Sequence, residues 1–302
     1  MSFKKTNNKI KNRYILICIL FIIIILLIIF SNLIKNNNKV NSNFEGENLA
    51  IAESDTMVIE VDDKKIKEEE EKQRIQEEQE KQEKLKQEEQ TATGIIYLTF
   101  DDGPTLDSTP RILDILEKRN IKATFFVLHY SDENEKFIKR EQKDGHTIAL
   151  HGYTHTYSEV YASADSCIEN FRKIQTQVKN STGITSNIIR FPGGSSNTIS
   201  RKYCQGVMTV LSQRVVEEGF RYFDWNVDSD DAGHAKTSQD IYRNVTSGIK
   251  EHRSNVVLMH DFGGNYKTID ALDSIIDFGI ENGYVFRPIT DETPMVTHSV
   301  NN

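Results

Sequence analysis

Residues 94–104 read Gly94-Ile95-Ile96-Tyr97-Leu98-Thr99-Phe100-Asp101-Asp102-Gly103-Pro104, a β-type run ending on two adjacent carboxylates. Consecutive strand residues point to opposite faces, so Asp101 and Asp102 can share a site only where the chain leaves strand geometry. Gly103-Pro104 is suited to forcing that bend. One carboxylate could then ligate a cation while its neighbour takes a proton from water. Alone, the stretch could equally be an Asp-rich turn capping the next helix.

Outward from this stretch the pattern repeats. Further β-type runs are Ala123–Leu128, Thr147–Leu150, Ile188–Phe191, Arg221–Val227, Val256–His260 and Tyr284–Phe286. Between them lie helical patterns near Pro110–Arg119, Asn134–Lys143, Ser163–Lys179, Tyr203–Glu218, Ser238–His252 and Thr268–Asn282. Pro110 suits a first helical turn, and Gly145, Gly183, Gly219 and Gly283 stand where helices should stop. Strict β–α alternation over about 200 residues implies a parallel sheet or barrel, whose ligands collect beyond the carboxyl ends of the strands.

Other polar residues fall at such ends. His151 and His155 are four apart, which on a helix would set both imidazoles on one face. Two histidines and a carboxylate are a familiar donor set for Zn²⁺ and related ions. Arg190, before Phe191-Pro192-Gly193-Gly194, could hold a carboxylate through paired hydrogen bonds, and glycine N–H groups can approach an oxyanion. In Asp224-Trp225-Asn226-Val227-Asp228, Asp228 is the candidate partner for His260, whose pKa a carboxylate would raise. Trp225, the single tryptophan, could be core or a platform for a sugar. His129, His146, His234 and His252 read as structural or surface residues.

Upstream of residue 93 the composition is different. Tyr14 to Phe30 is an unbroken apolar run, within the length range of a membrane-crossing helix. Lys4, Lys5, Lys9, Lys11 and Arg13 precede it, and only Lys35 and Lys39 closely follow. This bias predicts a cytoplasmic segment 1–13, an anchor 14–34 and everything later outside. From Asp62 to Gln90 there are 12 acidic and 8 basic residues with Gln between them, and no apolar seam for a coiled coil. Glu68–Lys72, Glu70–Arg74, Glu77–Lys81 and Glu80–Lys84 are spaced four apart with the acid first, which supports a helix. Residues 35–92 therefore read as a solvated spacer, partly helical or disordered, before a catalytic domain 93–295 and a tail 296–302. A net charge of −8 argues against a nucleic-acid surface. Cys167 and Cys204 lie in the exported part, where a bridge is permitted but not required.

In order, Thr99–Pro104, His151–His155, Arg190–Gly194, Asp224–Asp231 and Leu258–His260 resemble the motifs of the polysaccharide deacetylases of carbohydrate esterase family 4. The likeness covers roughly residues 94–290. It implies a distorted (β/α) barrel, here expected to follow a transmembrane helix and a charged spacer, and metal-dependent deacetylation of N-acetylated sugars. By this resemblance Asp101 is the base, and Asp102, His151 and His155 are ligands for a divalent metal, Zn²⁺ before Co²⁺. Likewise, His260 is the acid, Asp228 its partner, Arg190 the residue that orients the base, and Gly193 the oxyanion donor. Two departures, Gly193 and Ala232 where the family often has aromatic residues, suggest a differently shaped sugar cleft. With the predicted topology, the expected substrate is peptidoglycan. Chitin oligomers, another surface polysaccharide, acetylated xylan and a silent wall-binding role are the alternatives.

Overall fold

The computed structural model describes residues 55–301, and their side chains from Lys65 onward. The predicted anchor at 14–34 lies outside the described residues; among them, no helix is long and apolar enough to cross a membrane. The chain divides into two units at Gln76/Glu77, inside helix α1 (Asp55–Thr91). The spacer is thus helical where it is described. Its acid–base contacts include Glu71–Arg74 at 2.9 Å and Glu78–Lys81 at 3.7 Å, both three residues apart rather than the expected four. In the second unit, Glu88 and Glu89 at the end of α1 bind Arg287 at 2.9 and 3.0 Å.

Gly94–Asp101 forms β1, the buried centre of an all-parallel sheet. The other strands are β2 (Thr124–Val127), β3 (Thr147–Leu150), β4 (Ile188–Ile189), β5 (Arg221–Tyr222), β6 (Val227–Asp228), β7 (Ser254–His260) and β8 (Tyr284–Phe286). Their order is β5-β4-β3-β2-β1-β7-β6, with β8 against the first residues of β1. Helices α2 (Thr109–Lys118), α3 (Glu135–Lys143), α4 (Tyr157–Val160), α5 (Ala164–Thr182), α6 (Val207–Glu217), α7 (Ser238–Gly248) and α8 (Tyr266–Glu281) fill the connections. Pro110 lies in the first turn of α2, and the four glycines expected at helix ends all have positive φ.

The predicted strand 221–227 is in fact two strands, and the break shapes the molecule. β5 and β6 stand at opposite ends of the strand order, about 29 Å apart if six spacings lay flat. Only residues 223–226 join them, a reach of roughly 17 Å. The sheet must therefore curl until its edges approach. β5 and β6 do not pair with one another, so the result is a curled half-barrel rather than a closed one. Asp224 N–H donates to the Val296 carbonyl (2.8 Å), and His298 N–H to the Asp224 carboxylate (2.7 Å), so chain from the predicted tail lines the gap. The tail is part of the domain: Val300 also packs on the core.

Alternation sorts the strand residues. Ile96, Leu98 and Phe100 of β1, with Phe125, Leu150, Val257 and Met259, pack outward against the helices in the large core. Tyr97, Phe126, Ala149, Ile188, Phe223 and Val256 form a smaller inner cluster. Continuing the inner face two residues at a time leads to Thr99 and Asp101, to His151, to Arg190 and to His260. Period two thus delivers the site residues together at the carboxyl rim.

Candidate active site

Asp101 and His260 are register partners across β1 and β7, neighbours at the rim. The Asp101 carboxylate is buried and accepts 2.7 Å from Arg190 Nη1. Arg190 is wholly buried, and every one of its hydrogen bonds is aimed. Nη1 also donates to Thr99 Oγ1 (2.8 Å), Nε to the Phe223 carbonyl (3.0 Å) and Nη2 to the Asp224 carbonyl (3.0 Å). Its guanidinium lies 4.0 Å from the centre of the Phe126 ring. The arginine thus spans the gap in the barrel and fixes one oxygen of Asp101.

The bend predicted at Gly103-Pro104 begins one residue earlier, at Asp102 itself (φ 77°). Gly103 is required for a different reason: a Cβ there would fall 2.4 Å from the Asp261 carboxylate. Asp261 is buried, bonded to Ser108 and to Thr109 Oγ1 (2.5 Å), and burial pushes it up to about 7. With its side chain turned off the strand, Asp102 faces His151, Oδ1 to Nε2 3.6 Å.

His151 and His155 are joined by a loop, so the helical placement of this pair does not occur. Asn170 of α5 shapes that loop, accepting from Thr154 N–H (2.9 Å) and donating to its carbonyl (3.1 Å). Gly152 (φ 137°) passes so close to the Asn170 amide that any side chain would collide with it. His151 Nδ1 donates to the Arg190 carbonyl (2.9 Å), which leaves Nε2 as a lone-pair donor toward Asp102. Ligand atoms of Asp102, His151 and His155 all lie within 4.8 Å of one another.

These three residues fit a divalent cation. Asp102 Oδ1 is buried without any hydrogen-bond partner, and burial, then the nearby Asp101 charge, raises its pKa. Burial lowers both histidines, keeping them neutral and able to ligate. A buried, unpartnered carboxylate oxygen beside two neutral imidazoles is costly until a cation joins them.

Opposite stands His260, and here the predicted partner is wrong. Nδ1 of His260 meets Asp231 Oδ1 at 2.7 Å, not Asp228. Asp228 pairs in register with Leu258, two residues short of His260, and its exposed carboxylate accepts from Trp225 Nε1 (3.1 Å) and Asp230 N–H (2.8 Å). The chain then turns through Asp230 (φ 57°) and carries Asp231 onto His260. Asp231 Oδ2 accepts from His260 N–H (2.8 Å), Asn265 Nδ2 (2.8 Å) and Thr268 Oγ1 (2.6 Å). Burial alone would depress His260, but the Asp231 hydrogen bond and charge, with Asp101 and Asp102, hold it at about 9. Burial likewise opposes the ionised Asp231, yet its bonds to His260 and Thr268 bring it down to about 2.

Gly193 (φ 76°) and Trp225 complete the rim. Among the described residues the Gly193 N–H donates to no acceptor. Half-buried Trp225 touches the adjoining Gly194, where a Cβ would come within 2.9 Å of the indole, and packs edge-on to His298 (4.8 Å). Sequence reasoning does not single out Asp231, Thr99, Tyr157 or His298. Only Asp231 has a signal there, as one of three carboxylates in Asp228-Ser229-Asp230-Asp231.

A curled parallel sheet that brings together two imidazoles and a carboxylate able to hold a cation, between a fixed carboxylate and a histidine paired with an aspartate, has the inventory of a metal-dependent hydrolase. Comparison with known proteins agrees. The family model for polysaccharide deacetylase matches residues 88–207. The putative polysaccharide deacetylase YheN of Bacillus subtilis is 32% identical over 65% of this chain and 67% of its own. A peptidoglycan-N-acetylglucosamine deacetylase of Bacillus cereus is 30% identical over 66% and 70%. The crystal structure of the catalytic domain of a peptidoglycan N-acetylglucosamine deacetylase from Eubacterium rectale superposes with a TM-score of 0.66. It is 44% identical and covers 69% of this chain and 94% of that one. The chain belongs to the polysaccharide deacetylase family, and is a hydrolase of carbon–nitrogen bonds other than peptide bonds.

Proposed function

We propose that this protein removes the acetyl group from N-acetylated sugars of peptidoglycan, outside a membrane in which residues 14–34 anchor it. The observation that carries the chemistry is the cluster of Asp102, His151 and His155, flanked by Asp101 on Arg190 and His260 on Asp231. The substrate is supported by the Bacillus cereus and Eubacterium rectale relatives. The apolar run and the basic residues before it support the location.

Zn²⁺ suits this donor set, and a divalent ion held there would polarise the acetyl carbonyl and acidify the attacking water. Asp101 accepts the proton of that water, its other oxygen being held by Arg190. The Gly193 N–H is free to meet the negative charge that grows on the acetyl oxygen. His260, protonated at neutral pH, gives its proton to the departing amine nitrogen while Asp231 keeps the imidazolium in place. Half-buried Trp225 offers a face for the sugar ring.

The test is to incubate the full-length, zinc-loaded chain with muropeptides and read the products by mass spectrometry. Loss of one acetyl per sugar, absent in Asp101→Asn, is expected. Acetate released from chitin oligomers or acetylated xylan, but not from muropeptides, would overturn the substrate. Unimpaired turnover by Asp101→Asn would overturn the mechanism.

A further inference from the structure

Tyr157 has no role in the chemistry assigned to Asp101, His260 and Gly193, although it stands among them. It opens α4, two residues after His155, and its ring meets the His155 imidazole edge-on at 5.2 Å. Across the cleft its hydroxyl lies over Gly193, where a Cβ would fall 2.9 Å from the phenolic oxygen. Tyr157 is half-buried, and its hydroxyl makes no hydrogen bond with any described residue.

The ring is held by the loop it faces. Tyr157 stacks on Tyr161 (6.0 Å, planes 16° apart), and the buried Tyr161 hydroxyl donates 2.7 Å to the Pro192 carbonyl, one residue before Gly193. Tyr157, Tyr161 and the Pro192-Gly193 turn therefore form one packed unit. The absence of a side chain at Gly193 leaves room for a phenol that comes from another part of the chain.

We infer that Tyr157 is a further catalytic residue, whose hydroxyl donates a hydrogen bond to the acetyl oxygen of the substrate beside the Gly193 N–H. This rests on the deacetylase reading. A neutral donor preplaced where charge develops stabilises the transition state more than the ground state, because its bond strengthens only as the oxyanion forms. No proton leaves Tyr157. A phenol that merely packed on His155 would do so equally well as phenylalanine.

That equivalence gives the experiment. Tyr157→Phe in the full-length chain keeps the ring and removes only the hydroxyl. With zinc and an N-acetylglucosamine oligomer, kcat should fall about 100-fold, the low end for loss of one oxyanion donor, with KM changed less than about threefold. Affinity for a methylphosphonamidate analogue, a tetrahedral anion in place of the acetyl group, should fall by a similar factor, with zinc affinity and melting temperature unchanged. A kcat within twofold of wild type, or a loss confined to KM, overturns the inference. Wild-type protein that binds zinc but releases no acetate from any glycan refutes the deacetylase reading instead, and equal analogue binding by both proteins would then remove Tyr157 as well.

Discussion

On one side of the cleft Asp102 carries a buried oxygen with no partner, between histidines that burial keeps neutral. On the other side Asp231 accepts hydrogen bonds from His260, Asn265 and Thr268, and the pKa of His260 is raised to about 9, which keeps it charged at neutral pH. Both sides are built at the ends of neighbouring parallel strands, and both contain buried carboxylates. They differ in what completes them. The acid side is finished by its own side chains, whereas the ligand side keeps a buried carboxylate oxygen that a divalent cation would complete.

The comparison breaks most severely at the carboxylates next to each other. Asp101→Asn should lower kcat/KM by about 10³-fold, within the range for loss of a general base, and Asp102→Asn at least as much, because the cation is lost with its ligand. Equilibrium dialysis should show zinc lost only from Asp102→Asn. Retention of zinc by both would mean that the ligand side is not where it is placed here.

Asp231→Asn tests the finished side. Activity at neutral pH should drop about 10²-fold, and His260, followed by NMR, should titrate near its ordinary 6.5 instead of about 9. The same pair should give metal-free protein a characteristic pH dependence of stability. The folded pKa of His260 lies above 6.5, so its contribution is full below 6.5 and is lost as pH rises through 9. That of Asp231 lies below 3.8, so its contribution is full above 3.8 and is lost as pH falls through 2. Urea unfolding should therefore show the pair's effect greatest between these limits, about 3 kcal/mol from the His260 shift. A flat difference between wild type and Asp231→Asn across pH 4–9 would contradict it.

Smaller effects sharpen the contrast. Without zinc, Asp102→Asn should be more stable than wild type by about 1–2 kcal/mol in urea, because a buried carboxylate without a full set of partners has been replaced by a neutral amide. With zinc the order should reverse. Asp228→Ala should change kcat less than about threefold, acting through Trp225 and hence on KM. A loss as large as that of Asp231→Asn would restore Asp228 as the partner of His260.

Much of the site is legible in the sequence. Alternation places Thr99 and Asp101 on one face of β1, and the glycines and Pro110 mark helix ends correctly, but that His260 joins them depends on the register of β7 against β1. The choice among Asp228, Asp230 and Asp231 is not legible, because it depends on β6 pairing Asp228 with Leu258 and on the left-handed turn at Asp230. Nor is the split of 221–227, since Arg221 to Val227 is β-type throughout while residues 223–226 follow a gap in the barrel. His298 is invisible for the same reason: it meets Trp225 across more than seventy residues of chain.

Residue types, their spacing and the period of two are local properties, and they suffice for the β–α alternation of a parallel sheet or barrel and for the rim location, whereas the ligand set Asp102, His151 and His155 comes from the resemblance of the ordered motifs to the polysaccharide deacetylases. Strand register, the curl that brings β5 towards β6, the Asp231–His260 pair and the placing of Tyr157 over Gly193 depend on contacts between distant segments. Such contacts are selected by packing the whole core at once, and no window of neighbouring residues contains that information.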